Sequence, residues 1–177
     1  YAVTYVPGTL TITPAPLTVT ANNQSKAYGA ALPALGVSYS GFMNGETSAV
    51  LDVLPTAGTT ATQSSPAGTY AITASGGADA NYTFSYVPGT LTVNPAPLTI
   101  AANNVSRGYG AANPSFTAVY TGFVNGETAA VLSGALTVTA TETTPAGAYA
   151  IASTLTSPNY AVTYVPGTLT ITPAPLT

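Results

Sequence analysis

YAVTYVPGTLTITPAPLT, residues 1–18, returns letter for letter at residues 160–177, and a diverged copy, YTFSYVPGTLTVNPAPLT, occupies residues 82–99. Self-similarity at a fixed period marks a tandem array, and the repeat then decides the fold before any single residue does. The landmarks between copies stay in register. Leu17 matches Leu98, Tyr28-Gly29 matches Tyr109-Gly110, Ser40-Gly41-Phe42 matches Thr121-Gly122-Phe123, and Asn44-Gly45-Glu46-Thr47 matches Asn125-Gly126-Glu127-Thr128. Ser65-Pro66-Ala67-Gly68-Thr69-Tyr70 then matches Thr144-Pro145-Ala146-Gly147-Ala148-Tyr149. The residues lost between copies fall between Leu51 and Pro66 and between Ile72 and Asn81, which places loops there. Copies one step apart have drifted while copies two steps apart are identical. An A-B-A-B array, an engineered duplication and a window overlapping itself all produce that pattern. The boundaries read as 1–16, the closing hairpin of a preceding repeat; 17–97, module A; and 98–177, module B.

Within a module the strand signal is period-two alternation. Leu17-Thr18-Val19-Thr20-Ala21 puts its apolar residues on one face and its threonines on the other. Leu98-Thr99-Ile100-Ala101, Thr69-Tyr70-Ala71-Ile72-Thr73 and Tyr82-Thr83-Phe84-Ser85-Tyr86 repeat the pattern, with residues suited to a pleated, half-buried surface. Val87-Pro88-Gly89 has Pro and Gly where a type II turn wants them, which predicts a hairpin between Tyr82–Tyr86 and Thr90–Val93; Pro7-Gly8 and Pro166-Gly167 repeat it. Asn44 through Leu51 breaks the alternation. An N-capping Asn followed by Glu46 in the first turn predicts one short helix per module, and Asn125 through Leu132, with Glu127, predicts the same. Pro14-Ala15-Pro16 and Pro95-Ala96-Pro97 read as short semi-rigid connectors, since two prolines forbid two ladder hydrogen bonds and favour extended geometry. Pro173-Ala174-Pro175 is the third copy.

Composition narrows the function classes. The chain has no Cys, His or Trp, and only 4% of its 177 residues are charged. Zero cysteine removes disulfides and thiolate metal sites, and leaves secretion open, because export of an unfolded chain is helped by the lack of cross-links. A net charge of −3 with Lys26 and Arg107 as the only basic side chains argues against nucleic acid. No apolar run approaches the roughly 18 residues that span a bilayer, so no transmembrane segment is predicted. A module of this size buries only about 60% of its unfolded surface. Stability must then come from good packing and from contacts between repeats.

The run NY-x-x-x-YVPGTLT-x-x-PAPLT, an Asn-rich segment, a Tyr-Gly pair, a GF-x-NGET motif and an SPAG-x-Y strand together resemble the MBG domain of the YGX type. The resemblance covers essentially the whole chain. It implies tandem arrays in very large bacterial surface proteins, filamentous-haemagglutinin-like adhesins among them. It also implies a mostly β, β-grasp-like module: here, a mainly antiparallel sheet with one short helix, repeated in an elongated array. Tyr28-Gly29 and Tyr109-Gly110 carry the YGX signature, and the pattern brings no catalytic residues with it. The basic position before it is Lys26 in one copy and Arg107 in the other.

Glu46 and Glu127 are the best candidates for chemistry because each module places a carboxylate at the same spot. Catalysis would need a second carboxylate, a base or a metal, and none recurs beside them. A first-turn acid on a short helix is the plainer reading. Calcium would need several clustered oxygens, whereas Asp52, Asp79, Glu46, Glu127 and Glu142 are scattered. Asn22-Asn23 and Asn103-Asn104 read as turn formers. A Lys–Asn isopeptide bond at Lys26 fails in the second copy, where Arg107 stands. Lys26 and Arg107 are read as pairing with a carboxylate or keeping an edge soluble. Alternating tyrosines read as core with hydroxyls at the rim; an exposed Tyr28 or Tyr109 would instead suit a sugar.

The expectation is a structural stalk or fibre segment of a secreted bacterial adhesin or extracellular filament, at the cell surface, without enzyme activity or cofactor. Its partners would be neighbouring copies of the repeat, and other subunits of a fibre through a Tyr1–Thr13 hairpin whose apolar face something must cover. The alternative is a multivalent carbohydrate- or surface-binding module, which an aromatic exposed in both copies would favour.

Overall fold

A computed structural model describes residues 1–175; Leu176 and Thr177, the end of module B, lie outside the described residues. The chain is mostly β. The first repeat supplies β1 (Ala15–Ala21), β2 (Gln24–Ala27), β3 (Val37–Ser40), β4 (Thr56–Thr59), β5 (Gly68–Ser75), β6 (Tyr82–Val87) and β7 (Gly89–Asn94). The second supplies β8 (Ala96–Ala102), β9 (Val105–Gly108), β10 (Ala118–Thr121), β11 (Leu136–Thr137), β12 (Gly147–Ala150), β13 (Ala152–Ser153), β14 (Tyr160–Val165) and β15 (Thr168–Thr172). Two compact units result. One holds Tyr1–Gln24, Pro33–Thr60 and Thr69–Leu91; the other holds Ser25–Leu32, Ala61–Gly68 and the chain from Thr92 onward.

In the first unit β1 is the centre of a three-stranded sheet, antiparallel to β3 and parallel to β6. The alternation read from the sequence is met: Leu17, Val19 and Ala21 are buried and Thr18 and Thr20 are not. Leu17 packs with Leu51 and Tyr82, with Tyr39, Phe42 and Phe84 around them. β4 pairs antiparallel with β5; among the strands of the first repeat a four-stranded sheet has the order β2-β7-β5-β4. In the second unit β8 takes the place of β1, antiparallel to β10 and parallel to β14, with Leu98 and Ile100 buried. A further sheet runs β12-β15-β9, and β11 pairs with β13. Ile151, Leu169, Ile171 and Ala140 are the core there. Antiparallel pairings are the majority, as predicted, but each β1-type strand also has a parallel neighbour.

Four local expectations are corrected. Tyr82–Val87 and Gly89–Asn94 form no hairpin, because β6 joins β1 while β7 joins β5 and β2, so the chain passes from one sheet to the other at Pro88. Gly89 is not in the left-handed region a type II turn requires. It is glycine because a Cβ would lie 2.3 Å from the Ala21 carbonyl oxygen, and Gly167 stands likewise 2.6 Å from that of Ala102.

The second correction concerns the helices, which are single 3-10 turns at Ser48–Val50 and Ala129–Val131, capped by Thr47 and Thr128. No acidic residue lies in their first turn, so Glu46 and Glu127 are not helix acids. The third is that the Ala-Pro step of Pro-Ala-Pro, read as part of a semi-rigid connector, is itself strand. Ala15-Pro16 and Ala96-Pro97 are the first residues of β1 and β8, in register with Tyr82-Thr83 and Tyr160-Ala161, while Pro14 and Pro95 stand just outside. The Ala15 and Ala96 amides donate to Asn81 and Asn159 on that side. The donor missing from Pro16 therefore faces β3, whose pairing reaches only Thr18, and no ladder bond is lost.

The fourth is Tyr1–Thr13. Residues 1–14 carry no strand, and Tyr1, Val3, Tyr5, Val6, Leu10 and Ile12 are exposed. The hairpin is not formed within this chain. The same sequence forms β14 and β15 where it pairs with β8, β9 and β12; residues 1–13 pair with no strand of the described residues.

Candidate functional site

The GF-x-NGET motif builds the same node in both repeats. Gly41 and Gly122 have φ of 115° and 117°, and a Cβ there would stand 2.6 and 2.4 Å from the carbonyl oxygens of Pro16 and Pro97. Phe42 and Phe123 follow and lie edge-on against Tyr82 and Tyr160, ring centroids 5.4 Å apart in each case. The next turn puts Asn44-Gly45 and Asn125-Gly126 at positive φ, closed by the Glu46 amide on Met43 and the Glu127 amide on Val124. Two successive left-handed residues are what a type I′ turn needs, and Asn-Gly supplies them at low cost. The turn aims the carboxylate at a phenol. Tyr82 donates to Glu46 Oε2 and Tyr160 to Glu127 Oε2, each at 2.5 Å, while Met43 and Val124 amides donate to the phenol oxygens at 3.0 and 3.1 Å. The phenols are held protonated to higher pH than usual. For Tyr82 the main cause is its bond to Glu46; for Tyr160 it is burial, then the bond to Glu127.

In the second repeat the node takes one more member. Tyr28 is buried, 5% exposed, and donates to the other oxygen, Glu127 Oε1, at 2.7 Å. Its ring meets Tyr160 edge-on at 5.6 Å, and the bond to Glu127 is the main reason its phenol also titrates high. Gly29 follows at φ 78°, where a Cβ would lie 2.5 Å from Val124 Cγ2. The Ala67 amide donates to Asn159 Oδ1 at 3.0 Å. Thus the signature Tyr-Gly and the Pro-Ala-Gly segment of one repeat close over the NGET turn of the next. Tyr109-Gly110 has the same loop backbone, with its Tyr amide on Thr172 as that of Tyr28 is on Asn94. Its Tyr side chain is 47% exposed.

The basic residue before each Tyr-Gly is buried, 7% exposed, and meets carbonyls rather than the expected carboxylate. Lys26 Nζ donates to Ala30 and Gln63 carbonyls at 2.9 Å. Arg107 donates to Asn113 Oδ1 and to the Gly108 and Thr141 carbonyls. Both tie the Tyr-Gly loop to the loop ahead of the Pro-Ala-Gly segment, and burial lowers the Lys26 amine. Asn23 and Asn104 do not form local turns but accept from the Thr90 and Thr168 amides, at the starts of β7 and β15. Among the described residues no group of three acidic side chains is placed to hold a metal ion.

The family comparison spans these same residues: the model of the MBG domain (YGX type) matches residues 17–92 and again residues 98–170. The chain belongs to the MBG family. The comparison with curated proteins finds no match. Of the candidate residues, Tyr28, Gly29 and Glu127 of the two MBG repeats come together, Glu46 meets Tyr82, and Tyr109-Gly110 stand apart. Pro14 and Pro95 are exposed strand-entry residues. Sequence reading missed Tyr82 and Tyr160 as partners of the carboxylates. The signal was available, since an Asn-Tyr pair recurs with every NGET, but the two are 36 and 33 residues apart in sequence. No helix of the described residues is long and apolar enough to cross a membrane.

Proposed function

We propose that this chain is a structural segment, stalk or fibre, of a secreted bacterial surface adhesin or extracellular filament, supplying length and stiffness and no catalysis. Each MBG repeat would be a β-grasp-like module in an elongated array outside the cell. The observation that carries this is the bond from Tyr28 of one repeat to Glu127 of the next, which spends the family's signature residues on joining repeats. Membership in a family of surface-protein repeat modules supports it. So does the use of both cations and both NGET carboxylates on internal hydrogen bonds. The sugar-binding alternative asks for an aromatic exposed at one position in both complete repeats. Among the described residues there is none: Tyr109 is exposed where Tyr28 is buried, and Tyr86 is exposed where Tyr164 is half-buried.

Electron microscopy of producing cells, with antibody raised against this segment, tests the reading. Long, thin labelled fibres are expected. Label confined to a compact layer, or to contact points with matrix, would replace the stalk with a binding module.

A further inference from the structure

The Glu127 node has a counterpart in the first repeat that lacks its third member. Glu46, Tyr82, Met43 and Asn81 are the equivalents of Glu127, Tyr160, Val124 and Asn159. They line an open cleft of about 380 Å³. Glu46 Oε2 is taken by Tyr82, which leaves Oε1, the atom whose equivalent receives Tyr28 in the second repeat. Met43 is 49% exposed, whereas Val124, beneath Gly29, is half-buried. At the other end of the pattern Tyr109 has the backbone of Tyr28 with an exposed ring, and nothing stands within 4 Å of a Cβ built on Gly110. One repeat thus offers an open socket and the other an undocked plug, and the seated form of the same pair is present in the chain.

We propose that the Glu46 cleft is the socket for the Tyr-Gly loop of another copy of this repeat, and that Tyr109-Gly110 of one chain seats in the Glu46 cleft of the next. Tyr109 donates to Glu46 Oε1, its ring lies edge-on to Tyr82, Gly110 rests on Met43, and the Ala146 amide donates to Asn81 Oδ1. Glycine is required because any side chain would strike the residue below it, as Gly29 shows against Val124. The contact is heterologous, plug to socket, so copies add head to tail rather than pair face to face. In a continuous array the linker supplies a high effective concentration and the joint closes; between separate chains it closes only at high concentration. This inference rests on the array reading and names the residues that make its joints.

Sedimentation velocity of the 177-residue chain, from micromolar to millimolar, tests it. The weight-average sedimentation coefficient is expected to rise with concentration. Tyr109→Phe deletes one charge-assisted hydrogen bond and should weaken association by about tenfold or more. Tyr109→Ala removes the ring and should leave monomer throughout. Tyr109 is exposed, so both variants keep the fold, with circular dichroism as the check. Glu46→Gln should weaken association at the socket end in the same way. A chain that stays monomeric at millimolar concentration overturns the proposal. So does association indifferent to Tyr109 and Glu46, which would belong to a surface other than the cleft, such as residues 1–11. Labelled fibres on cells together with either result would leave the stalk standing and remove only this joint.

Discussion

Tyr82 and Tyr160 explain why the NGET turn ends in an acid. A phenol that donates to a carboxylate while accepting a backbone amide satisfies three groups at once, and the Tyr82 and Tyr160 phenols are buried, so leaving either unpaired would be costly. The pH behaviour follows from the direction of the shifts. The phenols of Tyr28, Tyr82, Tyr160 and Tyr164 all titrate above their ordinary 10.0. A group whose value is raised by folding contributes fully below its unfolded value and loses that contribution as pH climbs through the folded one. Lys26 has the opposite sign: its amine is lowered below 10.5 by burial, so its contribution improves as pH rises toward that value. Four phenols against one amine predict that stability falls above about pH 10. Tyr160→Phe should lower stability by about 1 kcal/mol at neutral pH and flatten the alkaline fall. Denaturant titrations of both proteins at neutral pH and near pH 10 check this. Parallel curves would mean that the phenol and carboxylate do not act as a pair in solution.

At the scale of elements, the alternation of Leu17–Ala21 and Leu98–Ala101 was legible because a strand with one buried face writes its period into the sequence. The Pro-Gly step was misread because the same dipeptide serves two purposes. Positive φ and close approach both select glycine, and only the third dimension tells them apart. Gly89 is selected by the Ala21 carbonyl, where β6 leaves one sheet and β7 enters the other. Gly8, in an identical Val-Pro-Gly-Thr-Leu-Thr context, has nothing within 4 Å of a Cβ. The pair makes a controlled experiment. Gly89→Ala should cost about 1–3 kcal/mol, as overpacking against rigid backbone does, and Gly8→Ala should stay within about 0.5 kcal/mol. Thermal unfolding of the two variants decides it. Equal, small effects would return Gly89 to the turn reading. The Ala-Pro step of Pro-Ala-Pro was read as connector rather than strand for a related reason. Proline forbids only its own donor, and at Pro16 and Pro97 that donor faces the side of the strand that pairing does not reach.

For the whole molecule, the period, the mostly β class and the family were legible because they are properties of repetition. What one repeat does to the next was not: the Tyr28–Glu127 bond spans 99 residues, and no local pattern distinguishes a tyrosine in a neighbour's socket from one in its own core. The same limit governed Tyr1–Thr13, read as a hairpin that had to be covered. Its sequence is identical to Tyr160–Thr172, so every local propensity and every intrinsic exchange rate is shared, and any difference between them is tertiary. Leu169 is fully buried in β15, between β12 and β9, while Leu10 is exposed and strandless. Amide hydrogen exchange followed by NMR should therefore show Thr168–Thr172 protected at least about a thousandfold more than Thr9–Thr13, given that core strands open only at a cost near global stability. The slowest amides should be those of β1 and β8, each the centre of its sheet with Leu17, Val19, Leu98 and Ile100 beneath. Matching protection in the two identical segments would mean that residues 1–13 find a partner strand in solution, and would restore the hairpin.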